Sequence, residues 1–170
     1  TAMDHPPEWV EQLRLAAPMH DVGKIGIADA ILGKPGVLTA AERVVMNEHA
    51  RIGYEILRDE QVSPLTELAA EIALYHHEKW DGSGYPHGLK GEAIPLAARI
   101  VAICDVYDAL RSQRPYKQAW TKERAQSYMC EQSGRHFDPE LLEVFKGLFD
   151  QVDALQQHLG DESASIKSPF

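Results

Sequence analysis

Apolar residues recur every three or four positions along most of this chain, and at several of the positions that helices would turn inward stands a histidine or an aspartate. From Glu8 to His20 the series is Val10, Leu13, Ala17 and His20; from Thr39 to about Arg58 it is Val45, His49, Ile52 and Ile56; from Ser63 toward Trp80 it is Leu65, Leu68, Ile72 and His76. The start signals agree with that period. Thr39-Ala-Ala-Glu42 is a capping box, and Ser63-Pro64 is an N-cap followed by proline at the first helical position. Pro95 opens a helix to about Ser112 that is apolar on two sides. Leu96, Ile100, Ile103, Tyr107 and Leu110 line one side, and Ala98, Val101, Ala102 and Ala109 surround Asp105 on the other, which places this helix in the middle of a bundle. Two more helices are expected, from Thr121 to about Gln132 and from Asp138-Pro139 to about His158. Glycines and prolines mark Asp21–Leu38 as a structured loop and Asp81–Glu92 as a surface loop. With no alternating strand pattern, the expectation is an all-α bundle of about six helices with functional loops between them. It forms one domain over residues 1–159, followed by a loose tail over 160–170.

Composition narrows the function. A formal charge of −9 over 170 residues is the opposite of a nucleic-acid coat, so polymeric DNA or RNA is not the expected partner. No apolar run is long enough to cross a bilayer and Thr1–Val10 carries no signal-peptide pattern, so the chain is expected to be cytoplasmic. Cys104 and Cys130 lie in helix-like runs without metal-type spacing and read as small buried residues in a reducing compartment.

His20, Asp21, His49, His76 and Asp105 therefore stand on or beside apolar helical faces, where each ionisable group costs several kcal/mol unless something pairs it. A metal centre would pair them all. His77 follows His76 and points about 100° away from it on a helix, so a cation off the helix end or side is within reach of both. Histidine and carboxylate without thiolate fit a catalytic iron, manganese or zinc site better than a closed structural zinc site. An aspartate beside a ligating histidine can bridge two cations about 3.5 to 4 Å apart, the arrangement that hydrolyses phosphoesters with water activated to a pKa of about 7. Asp21 is the candidate bridge.

Taken together, His20-Asp21-Val-Gly-Lys24 and His76-His77-Glu78-Lys-Trp-Asp81-Gly82-Ser-Gly84-Tyr85-Pro86 make the sequence resemble the HD-GYP family of bacterial phosphodiesterases over about residues 12 to 148. The likeness runs on through Arg51-Ile-Gly53, Ile94-Pro95-Leu-Ala-Ala-Arg99-Ile, Asp105-Val-Tyr-Asp108-Ala-Leu, Arg114-Pro-Tyr-Lys117 and Phe137-Asp138-Pro139. The resemblance implies an all-helical HD fold and hydrolysis of cyclic di-GMP to pGpG or GMP by attack of a metal-bridging hydroxide. It implies a two- or three-metal centre with His20, Asp21, His49, His76, His77 and Asp105 as ligands, the divalent ions being iron or manganese first and zinc, nickel or magnesium after them. Lys24, Arg114 and Lys117 match the residues that hold the substrate phosphates, with Tyr116 as an aromatic contact and Asp21 and Lys24 as the catalytic pair. It also implies docking of diguanylate cyclase (GGDEF) domains on the Asp81–Pro86 loop, and fusion to, or regulation by, a sensor or receiver domain. The family's usual upstream helix, with a ligating Glu and His four residues apart, has no match in the 19 residues before His20, Asp4-His5 being too close to it. A third metal is therefore not expected.

Several readings stay open in the sequence. Glu78 either orients a ligand or forms a salt bridge at the helix end. The Asp81–Pro86 loop lines a cleft, docks a partner, or is a turn whose Trp80 and Tyr85 pack on the bundle. Tyr107, Trp120 and Tyr116 are base-stacking residues or core, and Asp108 is a supporting acid or a partner of Arg111. Two other functions compete: an HD phosphohydrolase with a different nucleotide substrate, and a catalytically weak sensor or scaffold.

Overall fold

In the computed structural model, which describes residues 3–58, 63–112 and 118–156, the regular structure is helical, with no strand among those residues. The elements are α1 (Pro7–Ala16), α2 (Asp29–Leu32), α3 (Ala40–Asn47), α4 (His49–Leu57), α5 (Pro64–Tyr75), α6 (Leu96–Arg111), α7 (Lys122–Glu131) and α8 (Pro139–Lys146), followed by helical residues 149–156. All six long helical segments expected from the periodicity are present. Two of them are broken, and the Asp21–Leu38 loop contains a 3₁₀ turn (Val22–Gly26) and the short α2. The 160–170 tail lies outside the described residues.

Local chemistry accounts for the ends. The Thr39 hydroxyl accepts from Glu42 N while the Glu42 carboxylate accepts from Thr39 N, the full capping box. Ser63, Thr121 and Asp138 accept from the first-turn amides of α5, α7 and α8. The segment from Ala40 to Leu57 breaks at Glu48, whose N–H turns to the i−3 carbonyl of Val45, and there the His49 ring takes the Met46 carbonyl at 2.7 Å. The last segment breaks at Gly147, the weakest helix former short of proline.

The break redirects α4. Val45 and Ile56, expected to face inward, are 42% and 48% exposed, and the buried residues are His49, Ala50 and Gly53. The reason is close backbone approach: α4 meets α5 through small residues, with an ideal Cβ on Gly53 only 3.2 Å from Ala73 Cβ. The position of α6 agrees with the expectation. Ala97 and Val101 pack with Ala16, Ala69 and Ile72, while Ile103, Tyr107 and Leu110 pack with Phe137, Leu142 and Phe145 of the C-terminal half. Tyr107 is core, its hydroxyl donating to Asp153 at 2.9 Å. Cys104 and Cys130 are exposed, contrary to the expectation that both are buried: they fall on the outer faces of α6 and α7, where the periodicity rather than the residue type decides burial. No helix among the described residues is long and apolar enough to cross a membrane.

Candidate metal centre

His20, Asp21, His49, His76, His77 and Asp105 come from four places in the chain and lie round one locus. His20 follows the 3₁₀ turn after α1, Asp21 precedes the Val22–Gly26 turn, His49 opens α4, His76 and His77 come directly after α5, and Asp105 stands midway along α6. Asp21 is central. Its Oδ2 is 3.3 Å from His20 Nε2, and its Oδ1 is 3.5 Å from His49 Nε2 and 3.9 Å from His76 Nε2. His77 Nε2 is 3.1 Å from His49 Nε2, and Asp105 Oδ1 is 3.7 Å from His20 Nε2. One ligand atom from each of Asp21, His49, His76 and His77 falls within 4.8 Å of the others, a spacing that a single ion can satisfy.

Three of the histidine rings are oriented by carbonyls three or four residues earlier in the chain. Nδ1 of His20 lies 2.8 Å from the Ala17 carbonyl, Nδ1 of His49 lies 2.7 Å from that of Met46, and Nδ1 of His76 lies 3.1 and 3.0 Å from those of Ile72 and Ala73. A carbonyl only accepts, so each Nδ1 carries a proton and each Nε2 is the atom turned to the locus. There the polar accounting fails without a further atom: His20 Nε2, Asp21 Oδ1 and His76 Nε2 are buried and have no hydrogen-bond partner. Orphans of this kind cost about 1 to 3 kcal/mol each, and three that converge fit a divalent cation.

The electrostatics separate the two sides of the locus. His49 and His76 are 1% and 2% exposed. Burial, followed by the charge of the neighbouring His20 ring, holds the pKa of His76 down at about 4. Burial beside His76 and His49 holds that of His77 at about 2, so both rings stay neutral and ready to ligate. On the other side burial also penalises a charged His20, but the facing carboxylates of Asp105 and Asp21 outweigh it and raise its pKa to about 10. To hold a cation there, His20 would have to give up that proton. This side opens on a cleft of about 470 Å³ bordered by Leu13, Val101, Cys104 and Asp108.

Lys24 stands one turn after Asp21 with its Nζ on Asp21 Oδ2. Arg114, Tyr116 and Lys117 lie outside the described residues. Glu78 takes neither of the roles open to it in the sequence. It is buried, and its carboxylate accepts from the N–H groups of His87 at 2.7 Å and Leu89 at 3.0 Å, holding the glycine-rich loop on the end of α5. Asp108 accepts from Ser112 and Gln156, while Arg111 bonds Asp153 and the Trp120 carbonyl. Trp120 packs edge-on against Tyr128 and under the Arg124 guanidinium, 3.9 Å from its centroid.

Residues 1–141 match the HD domain family. The chain belongs to that family, in its HD-GYP branch. It is 49% identical over 159 residues to a cyclic di-GMP phosphodiesterase of Vibrio cholerae, covering 91% of this chain and 32% of the relative. It is 56% identical over 137 residues to the cyclic di-GMP phosphodiesterase response regulator RpfG of Xanthomonas campestris, covering 81% and 36%. With the 3'3'-cGAMP-specific phosphodiesterase 2 of Vibrio cholerae it shares 46% identity, covering 89% and 29%. The chain thus spans about a third of the length of these curated relatives. In fold it resembles the crystal structure of the cyclic GMP-AMP phosphodiesterase V-cGAP3 of Vibrio cholerae, with a TM-score of 0.61 at 22% identity, covering 87% of this chain and 40% of that one. An HD domain with this His/Asp cluster is suited to divalent metal.

Proposed function

We propose that this HD domain is a metal-dependent phosphodiesterase that hydrolyses cyclic di-GMP to pGpG or GMP. The observation that carries the reading is the convergence of four imidazoles and two carboxylates, with three of their buried atoms unpartnered, on one locus. His20, Asp21, His49, His76, His77 and Asp105 would hold two divalent ions, iron or manganese before zinc, nickel or magnesium, and Asp21 would be shared between them. Such ions, when bound, supply water activated near neutral pH and neutralise phosphoryl charge. The chain's own contribution is orientation: carbonyls of the 3₁₀ turn after α1, of α3 and of α5 fix three of the rings, and Asp21 is held by Lys24. Lys24, whose Nζ pairs with Asp21, is assigned to a substrate phosphate. Arg114 and Lys117 are assigned to the same role and Tyr116 to a base, since a phosphodiester ligand of an acidic protein needs local cations. Residues 1–159 are read as the phosphohydrolase unit, placed in the cytoplasm. A sensor or receiver domain is read as its partner in the same protein, as the response-regulator name of one relative suggests. The outer residues Asp81, Ser83 and Pro86 of the glycine-rich loop are exposed and are assigned to contact with GGDEF domains.

A second substrate has an observation of its own, the 46% identity to a 3'3'-cGAMP-specific enzyme. Anaerobic, iron- or manganese-loaded protein offered cyclic di-GMP, 3'3'-cGAMP and mononucleotides in parallel is expected to turn over cyclic di-GMP fastest. Preference for 3'3'-cGAMP would move the assignment to that substrate. Binding of either without turnover would make the chain a sensor or scaffold.

The two ion positions should differ in affinity. Asp21, His49, His76 and His77 form one nearly complete shell, whereas the neighbouring position has His20, the shared Asp21 and Asp105, on the side that opens to the cleft. A shell with fewer protein ligands binds its ion more weakly. Anomalous scattering at the metal edges, read beside activity against added metal, should show the histidine-rich position filled first. Two ions of equal affinity, or three at full occupancy, would overturn the assignment.

A further inference from the structure

We infer that Tyr85 is a positioning residue of the metal centre, its ring setting the orientation of the His77 imidazole. The inference rests on His77 being a metal ligand. Of the four imidazoles at the locus, three are held by backbone carbonyls of their own helical segments. His77 stands beyond the last residue of α5, and among the described residues its ring makes no such bond; its ring neighbours are His49, His76 and Tyr85. Tyr85 stacks on it with centroids 4.8 Å apart and planes inclined by 26°. The two residues are tied a second time, Tyr85 N donating to the His77 carbonyl at 3.2 Å.

The loop leaves Tyr85 little freedom to leave that place. Before it, Gly84 runs so close to residues 78 and 79 that a Cβ would stand 2.4 Å from Lys79 N and 2.5 Å from Glu78 Cα. After it, the buried Glu78 carboxylate binds the amides of His87 and Leu89. At the loop's base, Trp80 and Asp81 donate to the carbonyls of His136 and Arg135. The glycine-rich loop is thus fastened on both sides of one aromatic ring, and that ring lies flat on the one histidine its own helix does not orient. Residues that orient a metal ligand are worth about 10- to 100-fold in metal affinity or activity.

The test titrates Mn(II) alone into the metal-free 170-residue chain by calorimetry, for wild type, Tyr85→Phe, Tyr85→Leu and Tyr85→Met, with the Tm of each metal-free protein measured beside it. Phe keeps a flat ring, whereas Leu and Met keep bulk without one, so either of the latter serves if the other does not fold. The expected result is a loss of about tenfold or more in affinity at the tighter site for Leu or Met, near-wild-type affinity for Phe, and metal-free Tm values close to wild type. Wild-type affinity in Leu and Met would overturn the inference. So would a Phe variant as weak as they are, or an affinity loss matched by a fall in metal-free Tm. A wild-type chain that binds no Mn(II) would instead remove the metal centre itself, and this inference with it.

Discussion

His76→Ala and His77→Ala are each expected to reduce cyclic di-GMP turnover to background and to lower metal content, while circular dichroism keeps the helical signal of wild type. The asymmetry follows from where these rings act. His76 Nε2 is a buried atom without a partner in the metal-free protein, so removing the imidazole deletes an unfavourable orphan along with some packing, and the two effects on stability oppose each other. Its Nδ1 partners, the Ile72 and Ala73 carbonyls, belong to the last turns of α5 and stay available to the backbone. The His77 ring contributes its Nε2 beside that of His49 at the same locus. For a metal, by contrast, each removal takes away one of the four donors gathered within 4.8 Å, and ligands acting as a unit are lost as a unit. Turnover near wild type in either variant would show that the histidine-rich cluster is not where the chemistry occurs.

The second large effect is expected at a residue with no functional group. Gly23→Ala should lower the Tm by roughly 6 to 12 °C and weaken metal binding as well. A Cβ at position 23 would stand 2.0 Å from the His49 carbonyl oxygen and 2.4 Å from Gly53 N, both backbone atoms of α4 that cannot swing aside. Overpacking of this kind costs about 3 kcal/mol, and each kcal/mol is worth about 2 to 4 °C in a domain of this size. To relieve the clash the Val22–Gly26 turn must move off α4, and Asp21, immediately before it, moves away from His49 and His76. Gly53→Ala makes the control. Its added methyl would meet the Ala73 side chain at 3.2 Å and the Gly23 backbone N at 3.3 Å, contacts that a few tenths of an ångström relieve, so its loss should be much smaller. Thermal melts with Mn(II) titrations on the two variants separate the cases. A Gly23→Ala protein with wild-type Tm and affinity would mean that the turn slides along α4 without cost.

These expectations mix what could be read along the chain with what could not. The helical segments and most of their starts were legible because they depend on neighbours three or four residues apart: Thr39 with Glu42, Ser63 with Thr66, Thr121 with Arg124, Asp138 with Glu140 and Leu141. The candidate ligands were legible because charge on an apolar face is costly wherever the face packs, so His49, His76 and Asp105 stood out before any packing partner was known. The family followed from the residues flanking them.

What the chain alone could not disclose was set by contacts between segments distant in sequence. Ile56 turned outward because α4 approaches α5 through small residues such as Gly53 and Ala73, and Val45 lies on the other side of the break at Glu48, where the period of α4 does not carry over; a period count rewards bulk and overlooks small residues that let backbones meet. The helix from Ser63 stopped at Tyr75 rather than near Trp80 because Trp80 and Asp81 give their amides to the 135–136 segment. Glu78 became the anchor of the glycine-rich loop for the same reason, its partners lying nine and eleven residues ahead on a folded-back chain. Sequence by itself determined which groups were available to the site and which helices would carry them, since both depend on side-chain chemistry and local hydrogen bonds. Only the tertiary structure decided which nitrogen of the His20, His49 and His76 rings faces the locus and which side of it opens on a cleft, because those depend on distances between atoms that the fold alone brings together.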